Sequence, residues 1–432
     1  MANLEQKLKR KTAFIGIVGL GYVGLPLALA FAKEGFKVLG FDIQQKRVDW
    51  VNKGHSYIVD VNKESLADAV ERKSLEATTD QSRIKGVDAI CICVPTPLTK
   101  TKDPDLSAVA YESEQISKYL QRGQLVSLES TTYPGTTREV MLPILERSGL
   151  KAGKDFYLAF SPERVDPGSK NYHIKNTPKV VGGMDSKSTK LATLLYSQVA
   201  DEVVPVSSPE VAEMTKVFEN VFRNVNIALV NELTMLCEKI GISVWEVIDA
   251  ASTKPFGYMT FHPGPGIGGH CIPLDPYYLA NKAREYDFHT RFIELAADIN
   301  EHMPYYVVSR IMEALNVRGK SLKGAKVLVL GVAYKKDVED IRESPSIKLI
   351  ELLRGKGAKV TYNDPYVANI KVSDETLASV ELTEKQLSSA DCVVIATDHT
   401  CYDYKSIARK SGFVFDTRGI SRKLHNKNII RL

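Results

Sequence analysis

The 432-residue chain is predicted to be an α/β protein with two doubly wound domains joined by one long central helix and a helical segment. Three observations carry that expectation. Short apolar runs alternate with helical stretches over the first two hundred residues, and the same alternation resumes near residue 326. Between them, hydrophobic residues recur every three or four positions from 211 to about 240. The composition, 44% hydrophobic and 25% charged, is that of a globular protein. A net charge of +5 without a Lys/Arg block interleaved with aromatics leaves no nucleic-acid face, though the surplus suits an anionic small molecule.

Residues 1–11 are basic and are followed by an uncharged stretch from Ala13 to Ala32, which imitates a signal peptide or a membrane span. Five turn formers inside it, Gly16, Gly19, Gly21, Gly24 and Pro26, and the lack of a small-residue cleavage site make it strand, turn and helix instead. Strands are expected at 14–18, 37–41, 89–94, 125–128, 156–160 and 203–206, in a parallel sheet. Cys91 and Cys93 alternate toward one face of their strand. With no second Cys or His pair at zinc spacing, they read as buried thiols and no metal is expected. Six cysteines without a secretory signal point to a reduced, cytoplasmic protein with no membrane association.

Gly19-Leu-Gly21-Tyr-Val-Gly24 lies between the first strand and the first helix of this sheet, and Asp42 ends the next strand. Glycines allow a tight turn and close backbone approach, a helix N-terminus favours a pyrophosphate, and the acid suits a ribose 2′-hydroxyl. The first domain, 1–206, is therefore expected to be Rossmann-like and to bind NAD. Arg47, five residues past Asp42, could neutralise a 2′-phosphate and tempers that preference.

Ser207 and Ser208 as caps, Pro209 in the first turn and Glu210 open a helix that runs to about Ile240, on the order of 50 Å. Its apolar ladder of Val211, Met214, Phe218, Val221, Phe222, Val225, Leu229, Leu233 and Leu236 recurs every three or four positions, on a helix long enough to bridge two domains or two subunits. Lys216, Asn220 and Asn224 fall at i, i+4 and i+8 in a polar stripe beside it. Their spacing is that of a solvated face. Asparagine is a poor residue for such a face, and a row of donors lining a pocket explains it better.

Helix continues to about 316, broken by PGPGIGGHCIPLDP at 263–276, with four glycines and four prolines around His270 and Cys271. A backbone so constrained suits the display of a nucleophilic thiol, with Asp275 close by. Two loops, 130–137 and 161–164, directly follow predicted strands, where open α/β sheets place ligand contacts; capping and turn formation account for them equally. A second sheet is expected from 326–331, 359–362, 392–396 and 413–415. The domains are thus 1–206, 207–316 and 317–432.

These residues carry a resemblance. GLGYVG, VPTP at 94–97, STTYPGTT at 130–137, SPER at 161–164, Lys216 with Asn220, GGHC ending at Cys271 and YKKDVEDIRESP at 334–345 stand in the order found in the UDP-glucose/GDP-mannose dehydrogenase family, which the chain resembles over essentially its whole length. The resemblance implies an NAD-binding first domain, a helical segment that forms a homodimer, and a last domain that holds a UDP-sugar. It implies a four-electron oxidation of sugar C6 to a carboxylate through a thiohemiacetal and a thioester on Cys271. Lys216 and Asn220 would stabilise the oxyanion, Asp275 would handle protons or position water, and Thr131 with Glu163 would order a water. Val23, Thr96 and Thr131 would join the NAD site. Lys335, Arg342 and Arg418 would contact the nucleotide, and Arg164, Arg223 and His262, with Glu163, Lys216 and Asn220, the sugar. The cysteine loop and SPER are most similar to the branch acting on UDP-N-acetylhexosamines, with UDP-N-acetylglucosamine expected ahead of its C2 epimer UDP-N-acetylmannosamine, and of UDP-glucose. Rival readings are a two-electron dehydrogenase with a structural Cys271, a nucleotide-sugar epimerase using Tyr278 and Lys282, and a non-catalytic dinucleotide sensor.

Overall fold

The computed structural model describes residues 3–58, 60–99, 101–165, 171–269 and 272–432; His270 and Cys271 lie outside the described residues. The chain forms two compact units, Met1–Glu219 with Tyr277–Phe288, and Asn220–Pro276 with His289–Leu432.

In the first unit eight strands form one sheet: β1 (Phe14–Val18), β2 (Lys37–Phe41), β3 (Leu75–Thr78), β4 (Ala89–Ile92), β5 (Leu125–Leu128), β6 (Tyr157–Phe160), β7 (Lys179–Gly183) and β8 (Val203–Val206). Their spatial order is β3-β2-β1-β4-β5-β6-β7-β8. The order reverses between β1 and β4, the crevice where such sheets bind ligands. Two apolar clusters, one on each face, cover the central strands β1, β4, β5 and β6, which are accordingly almost continuously apolar. The uncharged stretch at 13–32 is β1, a turn and the helix Gly24–Lys33 inside one of these clusters, and Cys91 and Cys93 are buried in the same cluster.

The sheet departs from the expected parallel pattern at β7, which pairs antiparallel with β6. Neither β3 nor β7 is anticipated by the apolar runs: Glu76 interrupts the first, and Lys179 and two glycines flank only two valines in the second. At the far edge, Pro205 within β8 lacks an N–H, which an edge strand tolerates.

The helix Pro209–Ile240 forms over the predicted span, with the Ser208 hydroxyl accepting from the Val211 N–H at 3.4 Å. The asparagines of its polar stripe are buried and most of its apolar ladder is exposed. Val211, Met214, Phe218, Phe222, Leu229, Leu233 and Leu236 are exposed, Phe218 at 64%, while Val221 is buried. The buried stripe holds Ala212, Glu213, Val217, Asn220, Asn224, Ala228, Asn231 and Thr234. Small residues allow close packing there, and the asparagines are buried because each is hydrogen-bonded.

The second unit carries a parallel sheet of β9 (Lys326–Leu330), β10 (Lys359–Asn363), β13 (Cys392–Ile395), β14 (Val414–Asp416) and β15 (Ile429–Arg431), ordered β10-β9-β13-β14-β15. A hairpin of β11 (Asn369–Val372) and β12 (Glu375–Ala378) stands apart. Among the described residues no helix is long and apolar enough to cross a membrane.

Candidate functional site

In the first unit the glycine turn is built as its spacing implies. Gly19 has φ of 89° and donates its N–H to the Phe41 carbonyl at 2.8 Å. A Cβ on Gly24 would stand 1.8 Å from the Gly19 carbonyl oxygen, so the helix can begin this close to the strand only with glycine there. A Cβ on Gly21 would meet nothing within 4 Å. That open space beside the start of Gly24–Lys33, with Val23 at the helix N-cap, fits a pyrophosphate.

Asp42, buried at the end of β2, accepts the N–H of Leu20 at 3.0 Å and of Gln44 at 2.9 Å. Arg47 reaches the same carboxylate at 3.3 Å, so its charge is paired with Asp42. Glu112, buried nearby, has a carboxyl that burial, aided by the charge of Asp42, pushes up to about 7.

Loops at the ends of neighbouring strands are stitched together. The Ser130 hydroxyl donates to the Val94 carbonyl at 2.6 Å, and the Thr96 hydroxyl to the Thr131 carbonyl at 2.7 Å. Buried Glu213 accepts from the N–H of Gly135 (2.6 Å), the N–H of Thr137 (2.9 Å) and the Thr137 hydroxyl (2.7 Å). Tyr278 donates to the Thr96 carbonyl at 2.5 Å, and Lys282 pairs with Glu139 and Glu285. These bonds engage the tyrosine and lysine that an epimerase would need for proton transfer.

Glu163 accepts the N–H groups of Arg164 and Val165 on one oxygen, both at 2.7 Å, and lies 3.6 Å from the Lys179 ammonium through the other. Burial alone would raise its pKa. Lys179, those N–H groups and Lys216 outweigh it and hold the carboxyl below the usual range. Arg164 is engaged by Glu219 at 2.6 Å and by the Pro178 carbonyl at 2.6 Å.

In the second unit the asparagines grip both flanks of the cysteine loop. Asn220 donates to the Asp275 carboxylate, and Asn224 to the Ile272 carbonyl at 3.2 Å. Asn231 accepts the Gly264 N–H at 3.0 Å and donates to Asn300 at 2.9 Å, and Asn300 donates to the Asn224 carbonyl at 3.0 Å. All five side chains are buried. The loop's glycines are used for contact: a Cβ on Gly268 would stand 2.6 Å from Tyr334, and one on Gly264 would stand 2.9 Å from the Arg418 guanidinium. The Gly269 N–H donates to the Arg342 carbonyl at 2.9 Å, while the Arg342 guanidinium pairs with Asp340. Lys335 is half-buried.

Arg223 is on the exposed side of its helix. His262 stacks on Trp245 at 6.0 Å, where burial and Arg422 hold its pKa low. Sequence reasoning missed Glu129, Lys179, Glu213, Asn231 and Asn300. Asn231 had a signal, lying seven residues beyond Asn224 on the same helical face. Among the described residues, no group of three or more His, Cys, Asp or Glu side chains could hold a metal ion.

Comparison with known proteins matches residues 13–200 to the "UDP-glucose/GDP-mannose dehydrogenase family, NAD binding domain", 210–302 to the central domain of that family, and 328–423 to its UDP binding domain. A UDP-N-acetyl-D-mannosamine dehydrogenase of Pyrococcus horikoshii is 38% identical over 91% of this chain and 90% of its own. A UDP-N-acetyl-D-glucosamine 6-dehydrogenase of Salmonella typhi is 36% identical over 95% and 94%. The solved structure of the UDP-D-ManNAc dehydrogenase from Pyrococcus horikoshii superposes with a TM-score of 0.89 at 35% identity, covering 97% of this chain and 98% of that one.

Proposed function

The chain belongs to the UDP-glucose/GDP-mannose dehydrogenase family, and from that premise we propose that it oxidises the C6 hydroxymethyl of a UDP-N-acetylhexosamine to the uronic acid, with UDP-N-acetylglucosamine preferred. The observation that carries this reading is that the family match runs through NAD-binding, central and UDP-binding parts while full-length relatives are named for dehydrogenases of UDP-N-acetylhexosamines. Bound NAD supplies the hydride acceptor, two per sugar.

The chain's own residues would do the rest. After the first oxidation the Cys271 sulfur attacks the aldehyde carbon to give a thiohemiacetal, whose oxidation leaves a thioester. Water then adds to the acyl carbon, the C–S bond breaks, and the carboxylate leaves. Lys216 and Asn220 stabilise the oxyanion, and Thr131 and Glu163 order the water. Asp275, bonded by Asn220, handles protons or positions water. Gly19, Gly21, Val23, Gly24, Asp42, Arg47, Thr96 and Thr131 hold the cofactor. Lys335, Arg342 and Arg418 bind the nucleotide, and Arg164, Arg223 and His262 the sugar.

In this reading 1–206 binds NAD, 207–316 supplies the cysteine and the dimer contact, and 317–432 binds the UDP-sugar. The exposed apolar row of Pro209–Ile240 supports a homodimer, because a patch of this kind on one chain calls for a partner. A cytoplasmic setting agrees with the free thiols of Cys91, Cys93, Cys237, Cys392 and Cys401. The mannosamine epimer is the second reading, favoured by the Pyrococcus horikoshii relative. NADH release from a panel of UDP-sugars decides. Highest kcat/KM on UDP-N-acetylglucosamine supports the preferred substrate, and highest kcat/KM on UDP-N-acetylmannosamine or UDP-glucose replaces it.

A further inference from the structure

Behind Glu163 lies a buried charge cluster that the chemistry above does not use. Lys179 opens β7 and is 2% exposed; Glu129 directly follows β5 and is 1% exposed. The Lys179 ammonium bonds Glu129 at 2.8 Å, stands 3.6 Å from Glu163, and sits 4.8 Å over the Tyr196 ring. A single buried carboxylate would satisfy a structural lysine. Here two share it, and the second is Glu163.

We propose that Lys179, anchored by Glu129, is a positioning residue that holds Glu163 as a carboxylate and fixes its second oxygen for water; this rests on the reading of Glu163 as the group that orders the hydrolytic water. One Glu163 oxygen is filled by the Arg164 and Val165 N–H groups. The other feels the ammonium at 3.6 Å, outside hydrogen-bond range, and so keeps its capacity to accept from water. In thioester hydrolysis the water oxygen bonds to the acyl carbon, the C–S bond breaks to leave a thiolate, one water proton passes to Glu163 and the other stays on the carboxyl product. No electrons are exchanged. A neutral Glu163 cannot take that proton.

The charged and titratable neighbours include Glu129 from the end of β5, Lys179 from β7, Tyr196 beneath the Lys179 ammonium, Lys216 from the central helix and the Cys93 thiol beyond β4, while Lys33, Glu34, Asp60, His173 and Lys175 line the cavity that Glu163 also lines. They give the proposal a signature of opposite signs. Lys179→Met removes the cation and should raise the Glu163 midpoint by about 1–3 pH units. Glu129→Gln keeps a side-chain oxygen for Lys179 but removes a like charge, and should lower it. Lys179→Arg should restore the wild-type value.

The measurement is an infrared pH titration of the carboxyl band lost in Glu163→Gln, run on the full chain of each variant. The acid limb of kcat for uronic acid formation should move the same way, with KM for NAD unchanged. An unmoved midpoint in folded Lys179→Met overturns the proposal, as does an upward shift in Glu129→Gln. Should Lys179→Met not fold, the direction of the Glu129→Gln shift decides alone. A chain that yields no NADH from any UDP-sugar defeats the proposed function, while the infrared titration still settles what Lys179 does to Glu163.

Discussion

Replacing Gly24 with alanine puts a Cβ 1.8 Å from a backbone oxygen, and neither strand nor helix can yield that much without unpacking. Gly24→Ala is therefore expected to cost about 3 kcal/mol or more, read as a lower denaturation midpoint. Gly21→Ala meets no protein atom within 4 Å, so its stability should stay within about 0.5–1 kcal/mol of wild type. Its NAD affinity should fall at least tenfold, about 1.4 kcal/mol, because the new methyl occupies the phosphate's space. Calorimetric titration beside thermal denaturation separates the two. Glu112 gives the pH dependence. Its folded pKa, pushed up to about 7 from 4.5, means that the folded state holds a proton the unfolded chain has released. Stability from this group is full below about pH 4.5 and is lost as pH rises through about 7. Glu112→Gln should remove that slope and stabilise the protein at pH 8 by about 1–2 kcal/mol, once solvent screening is discounted. Urea titrations at pH 5 and pH 8 check it. The glycine turn with Asp42 was readable because its residues are contiguous or one strand apart. Lys179 and Glu129 were not: they meet across the sheet from segments fifty residues apart, and β7 shows only two valines between a lysine and two glycines.

At the scale of elements, the helix Pro209–Ile240 shows what periodicity can and cannot say. Its span was legible from cap and ladder, yet the ladder assigns residues to faces without telling which face the chain itself covers. The Phe, Leu and Met row is exposed, whereas the asparagines are buried on the cysteine loop. The hint lay in residue type, since asparagine gains from a helix only where its amide is bonded. Asn231→Ala strands the Gly264 N–H and the Asn300 oxygen inside the protein, at about 1–3 kcal/mol. The expected result is a lower denaturation midpoint together with slower uronic acid formation and unchanged NAD affinity. A fall in NAD affinity of the same size would contradict a role confined to the loop.

At the scale of the whole molecule, both sheets use the same device. Asp42, after β2, accepts the Leu20 N–H from the turn after β1; Asp364, after β10, accepts the Val332 and Ala333 N–H groups from the turn after β9, at 2.7 and 3.1 Å. The second copy adds His399 at 3.0 Å. Both α/β halves were legible as strand and helix alternation, but this shared acid was not, because the second turn lacks the full glycine spacing. The exposed row on the central helix belongs to this scale too. Phe218→Asp with Leu229→Asp should convert a dimer to monomer in sedimentation velocity; a wild-type chain already monomeric at micromolar concentration would contradict the dimer.

The most direct measurement is the amount of NADH formed per UDP-N-acetylhexosamine consumed to completion. Retention of the half-oxidised sugar on Cys271 predicts two, with uronic acid as the product and no free aldehyde. A value of one, with aldehyde released, would contradict it.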